Sequence, residues 1–261
     1  MTYQNQQVAC IIPARDEAKS IGFVIKGLQQ LKNEAGHSLI DKIVVCDNGS
    51  VDETASIAQA LNVRVISQPQ PGYGIACLTA LTQTTNADIV LFIDGDNAFR
   101  AEQAILLINS VANGIDLAIG SRALGSIEQG ALTPPQRFGN WLACYLIQWF
   151  WKRTVSDLGP FRAISQEALK KLAMEDKSFG WTIEMQIKAI QKGMMVVEHP
   201  VDTYCRLGHS KISGTVKGTI GAGVGILSII AKLRWRQFRN NSASSSRSFS
   251  SYSGTTQGRN P

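Results

Sequence analysis

Apolar residues in the first half of the chain fall into short runs that alternate with segments at helical spacing. Val8 to Ala14 is an apolar run containing a proline near its end, and it predicts a buried strand. Ala18 to Leu31 carries apolar positions at the spacing of an amphipathic helix. Lys42–Asp47 and Val63–Ile66 predict further strands, with a helix opening near Asp52 between them. Gly72–Gln83 predicts a helix, Ala87–Asp94 the clearest strand, Glu102–Ala112 a helix and Ile115–Gly120 a strand. This alternation predicts an α/β fold with a mostly parallel sheet covered by helices on both faces.

The second half is less regular. Gly120–Pro135 reads as a loop, Gln136–Lys152 as an apolar, Trp-rich helix and Gly159–Ser165 as a strand. Helices are expected near Gln166–Ala173 and Trp181–Lys192, one or two strands in Met194–Tyr204, and a long helix over Gly214–Phe238. Asn240–Pro261 is Ser-rich and poor in apolar residues, the composition of a disordered tail. The expected organisation is a single domain over 1–239, with a nucleotide-binding half at 8–122, an acceptor half at 123–213 and a basic helix at 214–239.

Composition narrows the function classes. A 44% apolar share supports a packed core and excludes a mostly disordered chain. The five cysteines are odd in number and include no Cys-x-x-Cys pair, so neither a zinc site nor a disulfide framework is indicated. Reduced, buried thiols and a polar N-terminus without a signal peptide point to the cytoplasm. The longest uncharged apolar stretches, Phe138–Trp151 and Gly218–Ala231, have 14 residues each; a spanning helix needs about 20. The net charge of +6 is unevenly placed: the last acidic residue is Asp202, and nine Lys/Arg follow it. A basic C-terminal quarter suits phosphate groups or anionic lipid. The aromatics of Phe138–Trp151 suit either a core helix or a membrane interface, and the basic helix suits the latter.

In open parallel sheets ligands bind beyond the carboxyl ends of strands. The predicted strands end at Ala14–Glu17, Asp47–Asp52, Asp94–Asn97 and Ser121–Arg122, all polar. Asp94-Gly95-Asp96 places two carboxylates close together, a pattern that can hold Mg²⁺ or Mn²⁺ bridging a diphosphate, with Gly95 admitting close backbone approach. The same dipeptide chemistry also makes a turn. Asp47 ends a buried strand and can accept hydrogen bonds from a base or ribose. Arg122, Arg162, and the Arg206, His209, Lys211 cluster around Gly208 can supply charge to phosphates, the last as a closing loop.

Taken together, IIPARDEAKSIG, VVCDNGSVDETA, GYGIACLTAL, FIDGDN, GSR, SDLGPFRAIS, GWTIEMQIKA and RLGHSKISGT resemble family 2 glycosyltransferases of the GT-A fold. The nearest subgroup is similar to the dolichyl- and polyprenyl-phosphate sugar synthases. The resemblance implies that Pro13, Ala14, Arg15, Glu17 and Asp47 cradle the base and ribose. Asp94 and Asp96 would form the Asp-x-Asp metal motif. Arg122, Arg206, His209, Ser210 and Lys211 would meet donor or acceptor phosphates. Asp157, Arg162, Trp181 and Glu184 would line the acceptor side. Three positions depart from the usual pattern: Asp16 stands where Asn is usual, Tyr73 where many relatives have Lys, and Asn97 after the metal motif.

The implied reaction is an inverting displacement at the anomeric carbon, with UDP-glucose as donor. A hydroxyl acceptor needs a general base, for which Asp157 is the candidate, with Asp96 and Arg122 beside it in the catalytic set. A phosphomonoester, with its second pKa near ~6, needs none. The expected partners are a nucleotide sugar, a lipid-phosphate or small hydroxyl acceptor and an anionic membrane surface. Nucleic acid is not expected, and a homo-oligomer is left open. The competing readings are a nucleotidyltransferase, whose Gly-rich, Lys-containing N-terminal loop is missing, and a non-catalytic nucleotide-sugar-binding protein.

Overall fold

The computed structural model describes residues 6–33, 35–208 and 223–239. Seven strands form one sheet: β1 (Val8–Ala14), β2 (Lys42–Asp47), β3 (Arg64–Ser67), β4 (Ile89–Phe92), β5 (Leu117–Ser121), β6 (Arg162–Ser165) and β7 (Val196–Pro200). Their spatial order is β3-β2-β1-β4-β6-β5-β7. All neighbours run parallel except β6, which is antiparallel to both β4 and β5.

The helices among the described residues are α1 (Ile21–Gln30), α2 (Thr54–Ala60), α3 (Tyr73–Leu81), α4 (Ala104–Ala112), α5 (Pro134–Trp151), α6 (Gln166–Leu172), α7 (Trp181–Gln191) and α8 (223–239). The expected helix over Gly214–Phe238 is seen from 223 onward; its first nine residues and the Ser-rich tail lie outside the described residues. α5 begins earlier than its apolar pattern predicts. Thr133 and Gln136 form a capping box and Pro134 occupies the first turn, where its missing N–H costs nothing.

The period-two alternation of β1 sorts the core into two layers. Val8, Cys10 and Ile12 pack with α1 and α4 on one face, and Ala9 and Ile11 pack with α3, α6 and α7 on the other. A third apolar cluster joins α5, α7 and α8 through Ile147, Ile183, Ile187 and Leu233.

The strand order sets the position of the ligand edge. The chain runs outward from β1 to β2 and β3, then returns through α3 to place β4 on the other side of β1. The reversal opens a crevice between the carboxyl ends of β1 and β4, where open α/β sheets bind ligands.

Candidate active site

A cavity of about 400 Å³ lies at that reversal. The end of β1 and the loop after it contribute Pro13, Ala14, Arg15 and Glu17, and the loop after β4 contributes Asp94, Gly95 and Asp96. Arg206 closes it from the C-terminal side. These eight residues were expected at one site from sequence, and the fold brings them together. Asp47 stands back from the wall, its Oδ1 accepting from the Ser50 N–H at 3.1 Å.

Asp94 and Asp96 do not continue β4, which ends at Phe92; they lie in the turn that follows it. The reason is local. Asp96 Oδ1 accepts from the Ala98 N–H at 3.0 Å, and Asn97 adopts φ 59°, a left-handed conformation that Asn tolerates. Asp96 Oδ2 lies 3.4 Å from Arg206 Nη1, and the Asp96 carbonyl accepts from the Leu207 N–H at 3.1 Å.

Three carboxylates, Glu17, Asp94 and Asp96, share this cavity with Arg15 and Arg206. Burial raises the Asp94 carboxyl to about 7, and the Asp96 charge adds to the effect. Burial likewise raises Glu17 to about 7, with Asp96 and Asp94 adding and the Ser20 hydroxyl opposing. Among the described residues Arg206 is the one cation within salt-bridge distance of any of these carboxylates, and it pairs with Asp96. Asp94 and Asp96 could offer oxygen donors to a divalent cation here. No cluster of three or more metal-ligating side chains occurs among the described residues. A cation here would therefore draw its remaining ligands from phosphate oxygens and water.

Several residues of this site were not singled out from sequence. Asn48 donates through Nδ2 to the Gln68 and Gln70 carbonyls at 2.8 and 2.7 Å. Its Oδ1 accepts from the Gly72 N–H at 2.8 Å. Gly72 has φ 152°, and a Cβ there would lie 2.2 Å from the Lys177 carbonyl oxygen, so glycine is required. The carbonyls of Ser178 and Lys177 accept from the Gly74 and Ile75 N–H groups, both at 3.0 Å, so the start of α3 is capped by protein. That contact brings Ser178 and Phe179 to the cavity wall. Tyr73 donates its hydroxyl to Asp94 Oδ1 at 3.0 Å.

A second cavity of about 380 Å³ lies against α5. Arg122, at the end of β5, forms its floor together with Asp157. The pairing is bidentate: Nε donates to Asp157 Oδ2 at 2.8 Å and Nη2 to Oδ1 at 2.7 Å, with the Arg122 N–H also on Oδ2 at 2.8 Å. Burial alone would lower Arg122; the hydrogen bond and charge of Asp157 outweigh it and leave the guanidinium above its ordinary value. Asp157, expected as a general base, is 1% exposed and already committed to this pair. The remaining wall is largely apolar and aromatic, with Ile127, Leu132, Trp141 and Tyr145, and Arg137 beside them.

Three residues expected on the acceptor side lie inside the protein. Arg162 is wholly buried because β6 inserts between β4 and β5. Its guanidinium donates to the Thr182 carbonyl at 2.9 Å and, through Nε, to the Gly159 carbonyl at 3.1 Å. Burial lowers it to about 10. Trp181 packs on Phe92, with ring centroids 6.1 Å apart. Glu184 accepts from the Glu175 and Asp176 N–H groups and pairs with Lys188 at 2.8 Å. Arg162 and Glu184 hold backbone in place, and Trp181 is part of the core. His209, Ser210 and Lys211 lie outside the described residues.

The family model for glycosyl transferase family 2 matches residues 9–173. An uncharacterized glycosyltransferase of Mycobacterium tuberculosis is 30% identical over 216 residues, covering 82% of this chain and 93% of the relative. A dolichyl-phosphate hexose transferase of Haloferax volcanii is 26% identical over 237 residues, covering 90% and 98%. Among solved structures, glucosyl-3-phosphoglycerate synthase of M. tuberculosis, in complex with Mn²⁺, UDP and glucosyl-3-phosphoglycerate, superposes with a TM-score of 0.68 at 22% identity, covering 87% of this chain and 81% of that one. Mannosyl-3-phosphoglycerate synthase of Rubrobacter xylanophilus gives a TM-score of 0.71 at 20% identity, covering 90% and 76%. These likenesses establish the GT-A fold, and the chain belongs to glycosyltransferase family 2.

Proposed function

We propose that this enzyme transfers glucose from UDP-glucose, with inversion, to a polyprenyl-phosphate-type acceptor, using Mg²⁺ or Mn²⁺. The nucleotide sugar occupies the cavity between β1 and β4, with base and ribose toward Pro13–Glu17 and the diphosphate toward Asp94, Asp96 and Arg206. The acceptor phosphate meets Arg122 in the cavity along α5, and the apolar chain lies against Trp141 and Tyr145. Mn²⁺ in the solved relative and the lipid-phosphate substrate in the name of the Haloferax relative support the cofactor and the acceptor class.

In the reaction the acceptor oxygen forms a bond to the anomeric carbon while the bond from that carbon to the diphosphate breaks. The leaving group is UDP. A divalent cation held by Asp94 and Asp96 would neutralise charge on the diphosphate. Arg206 adds a second positive group on the same side, a preorganised stabilisation of developing negative charge. Tyr73 fixes the geometry around the motif through its bond to Asp94. Arg122, rigidly held by Asp157, orients the incoming phosphate.

The observation that carries the choice of acceptor is the Arg122–Asp157 pair. With both carboxylate oxygens engaged by the arginine, the pair offers no free base to a hydroxyl. A phosphomonoester is already largely dianionic at neutral pH and needs none. Transfer to a soluble phosphorylated hydroxyl acceptor is the second reading, favoured by the phosphoglycerate ligands of the solved relatives. Nucleotidyl transfer is set aside by the family match.

A radiolabelled UDP-glucose assay with a short-chain polyprenyl phosphate and with 3-phosphoglycerate, offered separately, tests this reading. Organic-phase product with the lipid phosphate alone is expected. Product with 3-phosphoglycerate alone would replace this acceptor by the second reading, and no transfer to either would reject both.

A further inference from the structure

We propose that α5 and α8 together form a surface that docks the protein on an anionic lipid bilayer. The sequence left α5 open to two readings, a core helix or an interfacial one. The structure assigns one face of the helix to each. Ala143 and Ile147 are buried against α7 and α8. On the opposite face Phe138, Trp141, Tyr145 and Trp149, at helical spacing, are 61, 59, 53 and 59% exposed. Their rings form a continuous ladder at its start, with 5.8 Å between the centroids of Phe138 and Trp141 and 5.8 Å between those of Trp141 and Tyr145. Solvent-facing rows of aromatics on a soluble fold mark an interaction surface.

α8 repeats the pattern. Ile229, Ile230 and Leu233 are buried, while Trp235 and Phe238 are 65 and 61% exposed. Trp151 Nε1 donates to Gln237 Oε1 at 2.8 Å, which ties the two helices together. No helix among the described residues is long and apolar enough to cross a membrane. Aromatic faces on short helices therefore suit the headgroup boundary, where Trp and Tyr concentrate.

Charge selects the occupant. Neither α5 nor α8 contains an acidic residue, and Arg137, Lys152, Arg153, Arg234 and Arg239 lie on or beside them. Lys232 and Arg236 are partly neutralised by Glu175, at 3.7 and 2.8 Å. A second copy would set two cationic faces against each other. An anionic bilayer complements both the charge and the aromatic rows. The surface is also continuous with the cavity described above, since Trp141 and Tyr145 belong to both. Docking would therefore open the Arg122 cavity toward the lipid headgroups; only this last step rests on the lipid-phosphate reading of the acceptor.

The test is co-sedimentation of the full chain with vesicles of equal parts phosphatidylcholine and phosphatidylglycerol, and with phosphatidylcholine alone. No substrate is present. The variant combines Phe138→Ser, Trp149→Ser, Trp235→Ser and Phe238→Ser, all solvent-facing and outside both cavities; if it fails to fold by circular dichroism, Trp149→Ser with Trp235→Ser replaces it. Binding to the anionic vesicles alone, weakened by salt and lost by about tenfold or more in the variant, supports the proposal. Failure of the wild type to bind anionic vesicles, or equal binding by the variant, overturns it. A concentration-dependent dimer that the variant abolishes, without vesicle binding, also overturns it by assigning the face to a second copy. A UDP-glucose thermal shift on the same samples without vesicles reports the nucleotide reading separately.

Discussion

The two cavities differ in how their charge is arranged. The one between β1 and β4 gathers Glu17, Asp94 and Asp96 with Arg15 and Arg206, and burial pushes the Glu17 and Asp94 carboxyls up to about 7. The one along α5 holds an arginine whose charge is already matched by Asp157 and sets it among aromatic side chains. Under the proposed function, the first would receive a cation with the nucleotide's diphosphate, and the second would hold the acceptor phosphate at the end of an apolar trough.

The largest effect that can break this contrast is expected at Asp96. Asp96→Ala should lower transfer by about a thousandfold or more, well beyond the modest loss of melting temperature expected from leaving the Ala98 N–H without its acceptor, if the carboxylate acts on the diphosphate as proposed. Steady-state assay beside a thermal melt checks both halves of that statement. On the other side, Arg162→Met should lower stability by about 3 kcal/mol, since the carbonyls of Gly159 and Thr182 lose a buried donor. Denaturant unfolding measures it. Normal stability with a raised acceptor KM would instead return Arg162 to the acceptor site.

A smaller effect is expected for Asp157→Asn, about a hundredfold or less in transfer, with loss concentrated in acceptor KM as Arg122 loses its orienting partner. If Asp157 were a general base, kcat would fall steeply with acceptor KM unchanged, and the pH profile would lose its acidic limb.

The smallest effect is a pH signature at Glu17. Its carboxyl is raised from 4.5 to about 7 in the folded protein. The folded state therefore holds a proton that the unfolded state has released between those values. Stability from this group is full below the lower value and declines as pH rises through the upper one. Glu17→Gln should raise the melting temperature of the metal-free protein near about pH 8 and leave it nearly unchanged near about pH 4. A difference that grows toward acid would contradict the assignment.

The donor side was the more legible in the sequence. Its residues sit on loops directly after strands, and strands are short apolar runs whose ends can be read. Pro13, Glu17, Asp94 and Asp96 followed from that rule. The acceptor side was less legible because a motif looks the same whether its side chains meet a ligand or hold the backbone. Arg162 carries a charge that suggests phosphate, yet the antiparallel insertion of β6 buries it, and only strand order reveals that. The Arg122–Asp157 pair joins residues 35 positions apart, so neither loop alone announces it. Asn48 reaches the cavity between β1 and β4 by bonding the loop before α3, and Phe179 reaches it through a contact between that loop and the loop before α7, which no local pattern encodes. α5 was ambiguous for a physical reason: an aromatic helix with one buried face and one exposed face satisfies both interpretations at once.

The most direct measurement is calorimetric titration of UDP-glucose into the wild type and into Asp96→Ala, each with Mn²⁺ and with chelator. Binding by the wild type that requires the metal, and its loss in Asp96→Ala, is the predicted result. Equal binding in chelator, or in the Asp96 variant, would contradict a cation-bridged diphosphate between β1 and β4.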